Sequence, residues 1–406
     1  MTAPIRVLYS FPHKLGADRI CYTAWQQVNG LAAAGADVLA CPGVLHRPVP
    51  EDIRVWPTLA KGKLRISYKL MGTMRALALH DYIVSRRLEK LAGKIDIVHA
   101  WPDGALRTLK VAARLGIPTV LERPNAHTRY AYESVQQEAA RIGVELPQDN
   151  EYALKTDVLE REGEEYRPAD FLLCPSEFVA RTFLDRGFAR EKLLRHQYGF
   201  DERRCFPEAE TGQVSRPFTM LFVGDAAVRK GVHFALEAWL RSPAHKTGKF
   251  LIAGPFLPAY RARLEAMLSD PSVEVLGYRR DVPELMRNSD IFVFPSIEEG
   301  FPLVCAEAIG SGCVPVVSEV GMGVCRHMEN ALVHRIGDVD ALTEHITLLY
   351  ENHELLNKLR EGCRATAPGM TWTAAGKRLL AAYGEAIAAK KATAIHHQES
   401  VGSVSR

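Results

Sequence analysis

The chain of 406 residues contains no run of about 18 apolar residues, so no membrane-spanning helix is expected. Its longest charge-free stretch, Ile20 to Ala36, holds Gln26, Gln27 and Asn29 and reads as a single soluble helix. Near the start, Ile5 to Phe11 is too short for a secretory apolar region, and Pro12, His13 and Lys14 end it, so no signal peptide is expected. The eight cysteines form no C-x-x-C and no Cys/His pair at zinc-finger spacing; their sparse placement suggests reduced thiols in a cytoplasmic protein. Neither sign of charge dominates: 51 Lys+Arg against 48 Asp+Glu leave +3, and nothing requires nucleic acid as a partner. The absence of a G-x-G-x-x-G after a strand argues against a simple dehydrogenase. With 47% hydrophobic and 24% charged residues, disorder, collagen and a small disulfide scaffold are also excluded for the chain as a whole.

What is present is alternation. Arg6–Phe11 reads as a strand, Cys21–Ala34 as a helix, and Ala36–Ala40 as the next strand; Ile95–His99, Thr119–Leu121 and Phe171–Cys174 continue the series. A second series begins at Thr219–Val223 and runs through Phe250–Ala253, Val273–Leu276, Ile291–Phe294 and Val314–Val317, with helical patterns between. Strand–helix alternation implies parallel sheets with right-handed crossovers, hence two doubly wound α/β halves. Tyr198 to Pro217 has poor periodicity and carries Gly199, Pro207, Gly212 and Pro217, so the break is expected there. This gives an N-terminal domain over 1–200, a second over 201–370, a closing helix over 371–389 packing back on the first, and a disordered tail over 390–406.

Ligands of such sheets bind beyond the carboxyl ends of the strands, where helix N-termini point outward. The strongest signal therefore follows Ile291–Phe294: Pro295-Ser-Ile-Glu-Glu-Gly-Phe-Pro-Leu-Val-Cys-Ala-Glu307. Pro302 suits the first turn of a helix. Glu299 falls in the loop before that helix and Glu307 one to two turns inside. A diphosphate fits the N–H groups of Phe301, Leu303 and Val304, with two carboxylates beside it to accept bonds from sugar diols. A second signal, Gly224-Asp-Ala-Ala-Val-Arg-Lys-Gly231, follows the strand Met220–Val223 and sets Arg229 and Lys230 where they neutralise a diphosphate. It lacks the order of a phosphate-binding P-loop. Taken singly, the first pattern also describes an acidic first turn and the second a solvated basic loop.

Together, E-x7-E after a Pro-Ser strand end and G-x5-K-G some seventy residues upstream resemble the retaining glycosyltransferases of family 4, which have the GT-B fold. Ala169-Asp-Phe-Leu-Leu-Cys-Pro-Ser176, Tyr198-Gly-Phe-Asp201, Leu251-Ile-Ala-Gly254 and Gly312-Cys-Val-Pro-Val316 extend the likeness to about residues 5–388, strongest over 165–345. The resemblance implies two Rossmann-like domains facing a central cleft and a nucleotide-sugar donor. Glu307 would hold ribose hydroxyls and Glu299 donor-sugar hydroxyls. Arg229 and Lys230 would hold the diphosphate with the backbone from Gly300 through Phe301 and Pro302 to Leu303. Gly16 would allow a close loop approach, Tyr278 would meet the base, and His127, in Glu122-Arg-Pro-Asn-Ala-His127, would lie at the donor sugar. Catalysis would rest on His127, Glu299 and Lys230. Asp225 departs from the family pattern, which often has Arg there, and removes a positive charge.

Asp338-Val-Asp340 matches the D-x-D of metal-dependent transferases but reads here as a helix N-cap, so neither a metal nor another cofactor is expected. Expected partners are a nucleotide sugar, UDP- or GDP-linked, and a saccharide, lipid-linked or small-molecule acceptor. A nucleotide-sugar epimerase of the same fold and a non-catalytic nucleotide-sugar-binding protein are the alternatives. Lys61 to Lys94 carries nine basic and two acidic residues, with Leu64, Leu70, Met71, Met74, Leu77 and Ile83 interleaved. It reads either as a buried helix with a solvated basic face or as a peripheral contact with anionic membrane.

Overall fold

The computed structural model describes residues 3–62, 64–66, 71–147, 150–207 and 216–404. Two parallel sheets carry the chain. In spatial order the first runs Arg54–Val55, Asp37–Leu45, Arg6–Leu15, Ile97–Ala100, Thr119–Glu122, Phe171–Cys174 and Leu193–Arg195. The second runs Val273–Gly277, Lys249–Ala253, Thr219–Val223, Ile291–Phe294, Val314–Ser318 and Leu332–His334. In both, the chain starts in the middle, fills one side, then crosses back to fill the other. This is the doubly wound order, with a switch point beside the first strand. The halves are thus α/β, as expected. The strands Arg54–Val55, Leu193–Arg195 and Leu332–His334 are too short to show a pattern in the sequence and exist through their neighbours' ladders.

The central strands are apolar on both faces because helices cover both. All four residues of Ile291–Phe294 are fully buried. The second half's core continues into the first: Ala126, Val135 and Phe178 pack in one cluster with Phe222, Phe292 and Trp239.

The closing helix runs from Trp372 to Val404. Leu379, Ala382, Tyr383 and Ala386 pack among Val7, Tyr9, Val28 and Leu31 of the first half. The composition of 390–406 suggested a disordered tail, but the helix continues through Val404, and Lys390 Nζ reaches Asp170 Oδ1 at 2.5 Å. The alanines at 386, 388, 389, 392 and 394 have high intrinsic helix propensity and carry the helix onward.

Within the basic stretch, a helix spans Thr73–Lys90 with Ala76, Leu77, Val84 and Leu88 buried. Lys63, Lys69 and Leu70 lie outside the described residues. Its outer face is not purely polar: Met74 and Tyr82 are 47% and 48% exposed, and Trp56 and Ile66 nearby are also exposed. Among the described residues no helix is long and apolar enough to cross a membrane.

Candidate active site

The two sequence signals become neighbours because their strands pair. Met220 and Leu221 lie beside Ile291 and Phe292. Both strands end at the switch point of the second sheet. There the Ile297 N–H donates to the Arg229 carbonyl at 2.9 Å, binding the two turns together. Glu299 Oε2 accepts from Arg229 Nη1 at 3.0 Å and pairs with Lys230 Nζ. Burial alone would raise the Glu299 carboxyl, but Lys230 and Arg229 outweigh it and hold it well below the usual range. Burial and the neighbouring Arg229 pull Lys230 down.

A cavity of about 610 Å³ opens in front of this pair, a size suited to a small ligand. Lys230, Tyr278, Glu299, Phe301, Pro302, Leu303 and Glu307 all line it, so seven of the sequence candidates share one space. Tyr278 is 75% exposed at its rim, a large aromatic face with little packing to lose. The helix spans Leu303–Gly310, as the sequence pattern predicts, with Pro302 as its N-cap. The Leu303 N–H donates to the Phe301 carbonyl at 2.8 Å, and the Gly300 N–H to Glu299 Oε1 at 3.4 Å. Those two donors are therefore already engaged, contrary to the expected row of free amides. Burial pushes the Glu307 carboxyl up to about 7, with Arg204 opposing.

Other candidates act from behind the lining. Arg229 is 19% exposed and buttresses Glu299. Gly300 meets the opposite half: a Cβ there would lie 1.6 Å from the Pro124 carbonyl oxygen, so only glycine lets the two halves touch at this point. Gly16, at φ +87°, packs against Arg47 and Trp25 rather than lining the cavity.

His127 is placed differently from the expectation. It caps the helix Thr128–Arg141, accepting from the Arg129 N–H at 3.2 Å, and its ring packs on Phe183 at 5.0 Å with Phe188 and Tyr166 around it. Burial and Arg123 lower it to about 4, so it is neutral near pH 7. Pro124 and Asn125, three and two residues earlier, are the ones that line the cleft. Three aromatic side chains, two of them more than fifty positions away, draw the ring inward, and nothing local in the sequence announces them.

The cleft continues into a second cavity of about 620 Å³ on the first half's side, and Arg204, Glu299, Phe301 and Leu303 line both. Its far wall brings Arg19, Arg47 and Arg203, none of which the motifs indicated. Arg19 Nη2 lies 3.3 Å from Asp225 Oδ2 across the cleft. The charge missing after Gly224 is thus met by an arginine from the facing half. Glu298, adjacent to Glu299, was also missed: it is 2% exposed, pushed up by burial, and 3.6 Å from Arg229. The only local signal was the Glu-Glu pair itself.

Behind this wall lies a fully buried carboxylate. Glu122 accepts from Tyr198 at 2.9 Å and from Gln27 at 3.0 Å, and its carboxylate also lies 2.9 Å from the His196 ring and 3.3 Å from His99. Burial would raise its pKa, but His196 and His99 hold it far below the ordinary range. Tyr198 in turn packs on Phe301, tying this network to the cleft lining.

The D-x-D residues lie elsewhere. Asp338 Oδ1 accepts from the Ala341 N–H at 3.0 Å as the N-cap of Val339–Glu351, and Asp340 pairs with Arg241 at 2.9 Å. Among the described residues no group of three or more His, Cys, Asp or Glu has the arrangement to hold a metal ion.

Residues 217–352 match the family model described as glycosyl transferases group 1. Among curated relatives, the chain is 29% identical over 92 residues to the UDP-Gal:alpha-D-GlcNAc-diphosphoundecaprenol alpha-1,3-galactosyltransferase of Escherichia coli, covering 22% of this chain and 24% of that protein. It is 34% identical over 123 residues to the N,N'-diacetylbacillosaminyl-diphospho-undecaprenol alpha-1,3-N-acetylgalactosaminyltransferase of Campylobacter jejuni, covering 30% and 32%. The match thus spans about a quarter to a third of these two relatives. Sucrose-phosphate synthase from Thermosynechococcus elongatus superposes with a TM-score of 0.67 over 95% of this chain and 100% of its own, at 18% identity.

Proposed function

We propose that the protein, whose residues 217–352 match the glycosyl transferases group 1 model and whose chain has the GT-B fold, moves a sugar from a UDP- or GDP-linked donor to an acceptor hydroxyl, with retention at the anomeric carbon. The convergence of Lys230, Glu299 and Glu307 in one cavity at a sheet switch point carries this reading. Glu307 accepts bonds from the ribose diol, and Tyr278 at the rim stacks on the base. The diphosphate takes Lys230 from Glu299, and Glu299 then turns its oxygens to the donor sugar. This exchange of partners keeps a cation beside an anion throughout, so little desolvation is left uncompensated. As the bond from the anomeric carbon to the diphosphate breaks, negative charge grows on the leaving oxygen, where Lys230 stabilises it, while the acceptor oxygen bonds that carbon on the same face and gives its proton to the leaving phosphate. His127, which caps a helix and is not among the residues lining either cavity, is given no catalytic role.

No metal is assigned, because Asp338 and Asp340 are committed to a cap and an ion pair. Unchanged turnover in EDTA is the expected result; dependence on Mn²⁺ would overturn this point.

The acceptor is a saccharide, a lipid-linked sugar or a small molecule in glycoconjugate or polysaccharide synthesis. The diphosphoundecaprenol acceptors in the two relatives' names support the lipid-linked choice. Trp56, Met74 and Tyr82, exposed beside Arg75 and Arg86, form a surface suited to peripheral contact with an anionic cytoplasmic leaflet. Sedimentation with anionic but not neutral vesicles, lost at high salt, checks that contact.

The main reading is tested by thermal shift with UDP- and GDP-sugars, where a ligand at 100 times its Kd adds about 2.7 kcal/mol. Donor hydrolysis is measured alongside. Binding without sugar release or transfer leaves a binding protein. An inverted product by NMR removes retention.

A further inference from the structure

We propose that the first-half cavity is an acceptor subsite for a phosphate or diphosphate group, with Arg47 as the residue that holds it. This rests on the transferase reading and names the chemistry of its second substrate. The cleft carries two separate sets of cations. Lys230, Arg279 and Arg280 line the cavity assigned to the nucleotide diphosphate. Arg19, Arg47 and Arg203 line the other, and Arg204 stands at the junction. One diphosphate is served by the first set, so the second points to another anion.

Within the second set the arginines differ. Arg19 pairs with Asp225, and Arg203 makes two bonds of 2.9 Å to Asp201. Arg47 instead lies over aromatic faces, its guanidinium 5.0 Å from the Tyr22 ring centroid and 5.3 Å from that of Trp25. Tyr22 and Trp25 are themselves stacked at 5.7 Å. The two rings restrain the guanidinium while Arg47 lines the cavity, so less freedom is lost when the planar fork meets a phosphate bidentately.

The surrounding backbone is built for this placement. The His46 and Arg47 N–H groups both donate to the Leu15 carbonyl, at 2.9 and 3.2 Å, and Trp25 Nε1 donates to the Pro48 carbonyl at 2.9 Å. Gly16 sits in the angle between them: a Cβ would lie 2.4 Å from Arg47 Cβ and 3.1 Å from Trp25 Cδ1. Glycine at 16 therefore admits Arg47 to its aromatic seat. The helix Ile20–Ala33 also opens here with no acidic residue in its first turn, while Asp18 just before it lines the same cavity.

The experiment measures binding by calorimetry to the full chain with saturating UDP or GDP, whichever binds. Three probes are used: glucose 6-phosphate, farnesyl-diphosphate-linked N-acetylglucosamine, and glucose. At least one phosphorylated probe should bind about tenfold or more tighter than glucose, the scale of hydrogen bonds to a charged group. Preference for glucose 6-phosphate names a soluble acceptor; preference for the prenyl diphosphate names a lipid-linked one. Arg47→Ala should abolish the preference and Arg47→Lys should keep only part of it. Gly16→Ala, which displaces Arg47 without removing its charge, should weaken it too. Circular dichroism on each variant checks folding. The proposal is overturned if neither phosphorylated probe outbinds glucose, or if a folded Arg47→Ala keeps the preference. Failure of both nucleotides to bind the natural chain would sink the transferase reading instead, and the phosphate preference is then read without nucleotide.

Discussion

On the wall built by the second sheet, Lys230, Arg229 and Glu299 expose only 13%, 19% and 15% of their side chains and grip one another. On the facing wall, Arg19 and Arg203 expose 86% and 82%; the first pairs with the exposed Asp225, the second with the mostly buried Asp201, and Arg47 lies over aromatic rings. Buried, mutually fixed charges suit a ligand group that is the same in every donor, because they need no reorganisation when charge develops. The exposed ion pairs of Arg19 and Arg203 are individually weak, so these two arginines can change partners to suit acceptors of different shape, while Arg47 stays in its aromatic seat. The facing wall keeps its own buried charge, Glu122, behind the surface, where it holds the fold.

The largest break in this comparison is Glu122→Ala. It strands His196, His99, Gln27 and Tyr198 in the core, and losing one member of such a buried charged network costs about 3–5 kcal/mol. Urea unfolding should show that loss. On the donor wall the largest effect is on rate. Lys230→Ala should lower kcat about a hundred- to thousandfold, as removal of a transition-state electrostatic group does. Stopped assays of nucleotide release check it.

Glu307 sharpens the comparison through pH. Its carboxyl titrates at about 7 in the folded chain and near the ordinary 4.5 when unfolded. The folded form therefore holds the proton between these values, and this group's contribution to stability falls as pH rises through that window. Nucleotide affinity should do the opposite, tightening from pH 6 to 8 as the carboxylate that accepts the ribose hydroxyls forms. Glu307→Gln should flatten that profile and weaken nucleotide binding about tenfold at pH 8, the loss of one charged hydrogen-bond acceptor. Calorimetry across the pH series checks both.

The smallest effect lies outside the cleft. Asp338→Ala should cost about 1 kcal/mol of stability, as loss of an N-cap does, and leave turnover unchanged. Loss of activity with stability intact would restore the D-x-D as a working motif.

The donor wall was legible because each of its turns follows a strand within a few residues. Glu299 and Glu307 belong to one loop and helix, and Arg229 and Lys230 to another, so turn chemistry and helix spacing placed them. The acceptor wall draws on 18–25, 47, 124–125 and 198–204, and no window of sequence contains it. His127 shows the same limit in reverse. Its loop was correctly located after Thr119–Glu122, but Phe183 and Phe188 decided which way the ring turned.

Sequence alone thus determined the two α/β halves and the strand-end turns where donor chemistry gathers, because hydrophobic period and turn residues act over short range. The length of the closing helix escaped it, since a polar, Ser- and His-rich composition masked an alanine-rich helix. Only the tertiary structure decided which charges meet. Lys230 and Glu299 are 69 positions apart, Arg19 and Asp225 are 206 apart, and Glu122 is ringed by four groups from three segments. Such pairings follow from how sheets and helices pack, and the energy of an ion pair depends on distance and burial, neither of which local pattern contains.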